Sequence, residues 1–285
     1  MATTASPAQI GNPPSSILDP PSSIPFWLPV ASLWWREVVR FYRQPSRVIG
    51  GLASPLLFWL LIGAGLGTSF RNPAGGAEMK YLEYFFPGTL TLILLFTAIF
   101  STVSVIEDRR EGFLQAVLVA PISRASMVLA KILGGTTLAA MQGFVFLLLL
   151  PAAGIRPTFV GIVLTVILVL LAAFAMTGLG FLVAWPMEST QGFHSIMNLF
   201  LIPLWLLSGA LFPAEGAATP IRWVMRANPL SYAIDGLRTT MYWSSSQATD
   251  SFKVLATSVV VTAMFGLVTF AASVAVAKKN VRGGR

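Results

Sequence analysis

The side chains that could act together lie in one short stretch. Glu107, Asp108, Arg109, Arg110 and Glu111 are consecutive charges, followed by Gly112, Phe113, Leu114, Gln115, Ala116, Val117 and Leu118. Long apolar runs flank this segment on both sides. The chemistry it offers is recognition: a structured, charged surface held out from a bilayer towards a soluble partner. Other chemistries are excluded by composition. There is no Cys, so no disulfide framework, iron–sulfur cluster or thiolate zinc site. One His, His194, argues against a His-based metal centre. No G-x-x-x-x-G-K-[ST] run occurs, so the chain has no loop to cradle a nucleotide, and any ATP-driven work needs a separate ATPase chain.

The elements that must position this segment are membrane spans. Hydrophobic residues make up 55% and charged residues 11%, with a mean hydropathy of +0.75, which predicts an all-α polytopic membrane protein. Six stretches reach the roughly 20 apolar residues that a span needs: about 47–67, 88–106, 129–150, 159–184, 192–213 and 254–277. His194, Asn198 and Pro203 interrupt the fifth. Residues 1–25, rich in Pro and Ser, are expected to be a disordered tail, residues 26–280 a membrane domain, and residues 281–285 a basic tail.

The net charge of +8 fits Lys and Arg on a cytoplasmic face better than nucleic-acid binding. With the N-terminus inside, the inner segments carry 12 Lys and Arg, Lys131 among them, and the outer segments 7. That bias predicts a multi-pass protein of the cell membrane with both termini cytoplasmic.

Before the first span, Trp34, Trp35, Val38, Val39, Phe41 and Tyr42 alternate with Arg36, Glu37, Arg40 and Arg43. This pattern predicts an amphipathic helix in the inner interface, aromatics in lipid and arginines at the headgroups, ended by Pro45. It serves either as a plain anchor or as part of a docking surface. In the charged loop, Glu107, Asp108 and Glu111 suit a helix N-terminus. Phe113, Leu114, Val117 and Leu118 fall on one helical face, Pro121 stops the helix, and Ser123 caps the next. Such a helix either docks a partner or packs only on its own spans.

The run R-E-G-F-L-Q-A-V-L-V-A-P-I-S-R, Arg110 to Arg124, resembles the loop after the second span of type-2 ABC transporter permeases. The resemblance covers about residues 26–280. It includes S-P-L-L-F-W-L-L-I-G-A-G-L-G (Ser54 to Gly67), F-P-G (Phe86 to Gly88), L-S-G-A-L-F-P (Leu207 to Pro213) and N-P-L-S-Y-A-I-D-G-L-R (Asn228 to Arg238). It implies that Glu107, Asp108, Arg110, Glu111, Gly112, Phe113, Leu114 and Gln115 belong to a coupling helix seated in a groove of an ATP-binding subunit. Many members carry Thr and Glu where this chain has Phe113 and Gln115.

The resemblance also implies two permease copies, identical or paralogous, over two ATPase subunits that bind the ATP and Mg. Spans two and five form the seam. The 214–253 loop closes the outer end of the path, which brings in Asn228, Pro229, Tyr232, Asp235 and Arg238. Asp235 and Arg238 are spaced to pair on one helix face.

Between residues 47 and 67, 88 and 106, 132 and 150, 159 and 184, 192 and 213, and 254 and 277 there is no Asp, Glu or Lys. Proton- and sodium-coupled pumps keep mid-membrane carboxylates, so this absence favours an amphiphilic or hydrophobic cargo (drug, lipid or glycan) moved outward. The alternative class is a membrane scaffold or assembly factor without transport. His194 either contacts cargo or bonds a neighbouring helix. Glycines at Gly63 to Gly67 and Gly178 and Gly180 allow close helix packing.

Overall fold

The structure is a computed structural model that describes residues 25–43, 45–66, 81–243 and 248–279. The expected Pro/Ser-rich tail before residue 25, the outer loop near residue 70 and the basic tail lie outside the described residues. Among the described residues all regular structure is helical, as the composition predicts. The helices are α1 (Trp27–Tyr42), α2 (Pro45–Leu66), α3 (Tyr81–Ser101), α4 (Val103–Arg110), α5 (Phe113–Val119), α6 (Arg124–Leu147), α7 (Phe159–Ala184), α8 (Thr190–Leu206), α9 (Thr219–Ala227), α10 (Pro229–Met241) and α11 (Ala248–Lys279).

Among the described residues, four helices are long and apolar enough to cross a membrane: Tyr81–Arg110, Arg124–Leu147, Phe159–Ala184 and Ser251–Lys279. The apolar part of α2, Ile49–Gly65, is shorter. The fifth expected span is shorter than the 192–213 read from the sequence. Helix α8 has 17 residues and ends at Leu206, because Gly209 takes a left-handed turn at φ +82°. Seventeen residues rise about 26 Å, the short limit for a bilayer core of about 30 Å. The third span likewise ends at Leu147 rather than 150.

Helix α3 is the centre of the bundle, with buried residues on every side and α2, α6, α7, α8 and α10 packed around it. Small residues set the distances. A Cβ on Gly135 of α6 would lie 2.2 Å from Ser101 Oγ and 2.5 Å from a Thr177 methyl, so α3, α6 and α7 meet there. A Cβ on neighbouring Gly134 would lie 2.7 Å from Glu37 Cβ, which brings α1 onto α6 about 100° round the helix from Gly135. The T-G-L-G glycines do the same for α7: Gly178 abuts Thr269 of α11, and Gly180 abuts Ile99 and Thr102. Adjacent small residues on one helix thus serve different neighbours.

Replacing Gly134 by Leu should push α1 off α6 and cost about 1–3 kcal/mol of stability, the usual range for overpacking. Gly50→Ala, where a Cβ meets nothing within 4 Å, is the matched control. Unfolding of the detergent-solubilised protein followed by circular dichroism measures both. Equal midpoints would refute the close α1–α6 seam.

Candidate functional site

The charged segment forms the end of one long helix and the turn after it. Helix α4 continues α3 beyond a single break at Thr102, whose Oγ donates to the carbonyl of Ile99 at 2.6 Å. Glu107 and Asp108 therefore sit near the C-terminus of α4, not at the N-terminus expected from the sequence. Carboxylates are unfavourable at that pole of the helix dipole. Three cations offset them. Arg36 of α1 donates to both oxygens of Asp108, at 2.8 Å and 3.0 Å. Arg40 donates to Asp108 at 2.7 Å, to Glu107 at 3.0 Å and to Glu111 at 3.3 Å. Lys131 of α6 donates to Asp108, to Glu37 at 2.6 Å and to Ser104 Oγ at 3.4 Å.

Asp108 has no solvent exposure, and Lys131 and Glu37 are buried with it. A buried charge is retained only with well-placed partners. Here one carboxylate ties together α1, α4 and α6. Burial works against the Arg36 charge, but the hydrogen bonds and attraction of Asp108 outweigh it and hold its pKa above the ordinary arginine value. These contacts correct two expectations. Arg36 and Arg40 face protein carboxylates rather than lipid headgroups, leaving Arg43 exposed with Trp35 and Tyr42. Trp34 turns inward and donates from Nε1 to Thr137 Oγ1 at 3.0 Å. Lys131, counted as an inner-loop charge, lies two turns inside α6.

Gly112 connects α4 to α5 with φ +79°, a left-handed conformation that favours glycine. Helix α5 then buries Leu114 and Val117, with Phe113 and Leu118 partly covered, as the periodicity predicts. It ends at Val119 because Ala120 is held extended before Pro121. Ser123 Oγ accepts from the Ser126 N–H at 3.0 Å and caps α6 as expected. The Arg36 guanidinium lies 3.6 Å above the Phe113 ring, so the aromatic that departs from the family pattern clamps α5 to α1. Gln115, Ala116 and Val119 form the outward face, beside exposed Arg110, Glu111 and Gly112. Val119 is 86% exposed on that face.

Arg109 and Arg110 point elsewhere. Arg109 donates to the carbonyls of Trp185 and Met187, the latter at 3.0 Å, and lies over the Trp185 ring. Arg110 Nε donates to the Glu188 carbonyl at 3.0 Å. Both arginines hold the short connection between α7 and α8.

At the opposite end of the bundle three separated motifs meet. Pro87 of F-P-G has no N–H, so the Glu83 carbonyl loses its helical donor, and the Tyr242 hydroxyl donates to it at 3.0 Å. Gly88 lets the Ala210 backbone approach: a Cβ there would be 2.8 Å from the Ala210 carbonyl oxygen. Trp205 Nε1 donates to the Gly88 carbonyl at 2.8 Å. Asn228 accepts from the Leu230 N–H at 3.0 Å, capping α10 ahead of Pro229. Its amide donates to the carbonyls of Leu204 and Leu207, at 2.6 Å and 3.0 Å, at the end of α8. Arg238 donates to the Gly209 carbonyl at 3.2 Å and covers the Tyr84 ring. Its contact with Asp235 is 3.9 Å, and Asp235 is exposed, so that pair is the weaker tie. Tyr232 donates to the Arg226 carbonyl at 2.9 Å.

Between the two ends lies a cavity of about 570 Å³, bounded by α1, α2, α3, α6 and α8. It starts beside Glu37 and Arg40 and ends where Phe58 of α2 meets Trp205 of α8, ring centroids 6.5 Å apart. His194 and Asn198 line it, and the His194 ring lies 4.7 Å from that of Phe100. The cavity and the partners of Lys131 are not readable from spacing, because they join helices far apart in sequence. One signal was available: a lysine two turns after a helix cap, inside an apolar helix, requires a buried counter-charge.

Residues 29–242 match the family described as ABC-2 type transporter. A protein of Cyanophora paradoxa named as a transport permease, ycf38, is 28% identical over 205 residues, covering 71% of this chain and 70% of that one. Nodulation protein J of Rhizobium leguminosarum bv. trifolii is 26% identical over 213 residues, covering 74% and 80%. The ycf38 protein of Porphyra purpurea is 25% identical over 211 residues, covering 73% and 72%.

Asp108→Asn should remove the one carboxylate that Arg36, Arg40 and Lys131 share, leaving them to Glu37, Glu107 and Glu111, and cost about 3–5 kcal/mol, the range for breaking a buried pair on one side. Glu111→Gln, at an exposed position, should cost under about 1 kcal/mol. Urea unfolding in detergent compares them, and equal losses would remove Asp108 as the hub.

Proposed function

The chain belongs to the ABC-2 type transporter family, and from that premise we propose that it is the membrane-spanning subunit of an ATP-driven exporter. A separate chain binds ATP and Mg and supplies the hydrolysis. The observation that carries this reading is α5: a short helix with an exposed outward face, held rigidly to α1, α4 and α6 by the Asp108 cluster and the Arg36–Phe113 stack. A force applied at Gln115, Ala116 and Val119 reaches the bundle without being absorbed by a loose loop. The relatives named as transport permeases support transport over a scaffold role.

The motion has a route to the cavity. Arg109 and Arg110 connect the end of α4 to residues 185–188, which lead directly into α8. Helix α8 is a cavity wall, and it touches the bundle along one narrow line, Phe193, Met197, Leu201 and Trp205. Leu199, Phe200 and Ile202 remain exposed on it. A second copy of the chain, facing this one across α8, covers that face in the proposed assembly; α3, which family analogy also puts at the seam, is enclosed by its own bundle. In this reading the side where α5 is exposed is the cytoplasmic side, by the distribution of Lys and Arg.

A mild-detergent preparation of the tagged protein from its own membrane should carry an ATP-binding subunit in stoichiometric amount and hydrolyse ATP. Val119→Glu with Gln115→Lys should lower co-purification at least tenfold while leaving membrane insertion unchanged. An intact preparation without an ATPase would overturn the exporter reading, and unchanged co-purification by the double variant would remove α5 as the docking element.

A further inference from the structure

The cavity has a chemistry of its own. Its walls are mainly apolar and aromatic, with Phe58, Phe96, Phe100 and Trp205 along its length. Its volume of about 570 Å³ falls within the range of about 300–1,000 Å³ typical of small-molecule sites. From His194 to Trp205 it follows eleven residues of α8, about 16 Å at the helical rise. That is long enough for an extended apolar body lying along the bundle axis.

Polar groups occur at one level of this wall. Thr97 Oγ1 donates to Gln142 Oε1 at 2.5 Å, and Gln142 is almost wholly buried. The Gln142 amide abuts Gly51 of α2, where a Cβ would lie 3.0 Å from Oε1. A hydroxyl and a carboxamide thus stand together at one level of an otherwise apolar wall, beside the Gly51 backbone.

Charge selects further. Among the described residues, the ionised groups at the cavity rim are Glu37 and Arg40, and each is held by partners of opposite sign. Glu37 meets Lys131 and Arg36, and Arg40 meets Asp108, Glu107 and Glu111. Among the described residues the cluster holds three cations against four carboxylates, so it offers no surplus positive charge to an anion. An anionic head entering this space would lose its hydration, and beyond the engaged Arg40 the described lining sets against it His194, stacked on Phe100.

We propose that this cavity binds an uncharged single-chain amphiphile, its apolar body along the aromatic wall and its hydroxyl- or amide-type head on Thr97 and Gln142, beside Gly51. Binding follows from the cavity alone. That the occupant is the transported molecule rests on the exporter reading above, and the two are tested separately.

The probe is a diazirine-bearing monoacylglycerol, compared with its sulfate ester, photolysed with the purified protein in nanodiscs and mapped by peptide mass spectrometry. The uncharged probe should label α2, α3 and α8 saturably, at least tenfold above the sulfate. Gly50→Phe fills the cavity from a position where an added Cβ meets nothing within 4 Å, and should cut this labelling at least tenfold. Thr97→Val with Gln142→Leu removes both members of the hydrogen bond and should lower it severalfold. Labelling of Met264 and Leu267 on the exposed face of α11 should be unchanged in every variant, which reports an intact fold in lipid. Equal cavity labelling by the sulfate, or cavity labelling unaffected by Gly50→Phe, overturns the proposal. Loss of the ATPase partner with cavity labelling retained would overturn the exporter reading alone.

Discussion

A carboxylate with no solvent exposure, near the wrong end of a helix dipole, can exist only if cations are brought to it. Asp108 imposes that requirement, and the inner end of the bundle follows from it. Helix α1 must lie along α6 so that Arg36 and Arg40 reach α4. Helix α6 must begin early enough, at the Ser123 cap, to carry Lys131 two turns into the bundle. Gly134 must be small because Glu37, which completes the coordination of Lys131, arrives there. An apolar seam of equal area could stabilise these helices as well. It would allow them to slide, whereas a carboxylate held on both oxygens by a guanidinium fixes rotation and height together.

This rigidity gives α5 its character. Seven residues cannot make a stable helix alone. The segment keeps its shape because Leu114 and Val117 are buried below it, Arg36 covers Phe113, and Arg124 donates to the Leu118 carbonyl at 2.8 Å. Gly112 supplies the one left-handed residue that lets a long helix turn into a short one lying across its end. The outward residues are left free of structural duty.

Much of this was legible in the sequence, and the limits have physical reasons. The period of Phe113, Leu114, Val117 and Leu118, the Ser123 cap and the Pro121 stop are local signals, and local signals survive folding. Asp235 and Arg238 were legible for the same reason, being one helical turn apart. The destination of the arginines on α1 was not. An amphipathic pattern states that one face is polar, but lipid headgroups and protein carboxylates satisfy that face equally. Only the 72-residue closure between Arg36 and Asp108 decides between them. The end of α8 was missed because hydropathy continues through Leu207 to Phe212 while the backbone reverses at Gly209, and a mean over side chains does not register one φ angle.

The two ends of the bundle differ in the kind of bond that holds them, and the difference bears on where movement is possible. The inner end is joined by ion pairs centred on the buried Asp108, Glu37 and Lys131. The outer end is joined by donors on backbone carbonyls, neutral apart from Arg238 on Gly209: Asn228 on Leu204 and Leu207, Trp205 on Gly88, and Tyr242 on Glu83. Each neutral bond contributes about 0.5–1.5 kcal/mol net, far below the cost of separating a buried charge from its partner. Displacement entering through α5 would therefore carry α1, α4 and α6 as one body. It would be taken up where the restraints are weaker, at the narrow contact of α8 with α3 and at the carbonyl contacts beyond it. The cavity lies between those two regimes, with a floor of ion pairs beside Arg40 and a wall on α8 that meets the bundle along one narrow line.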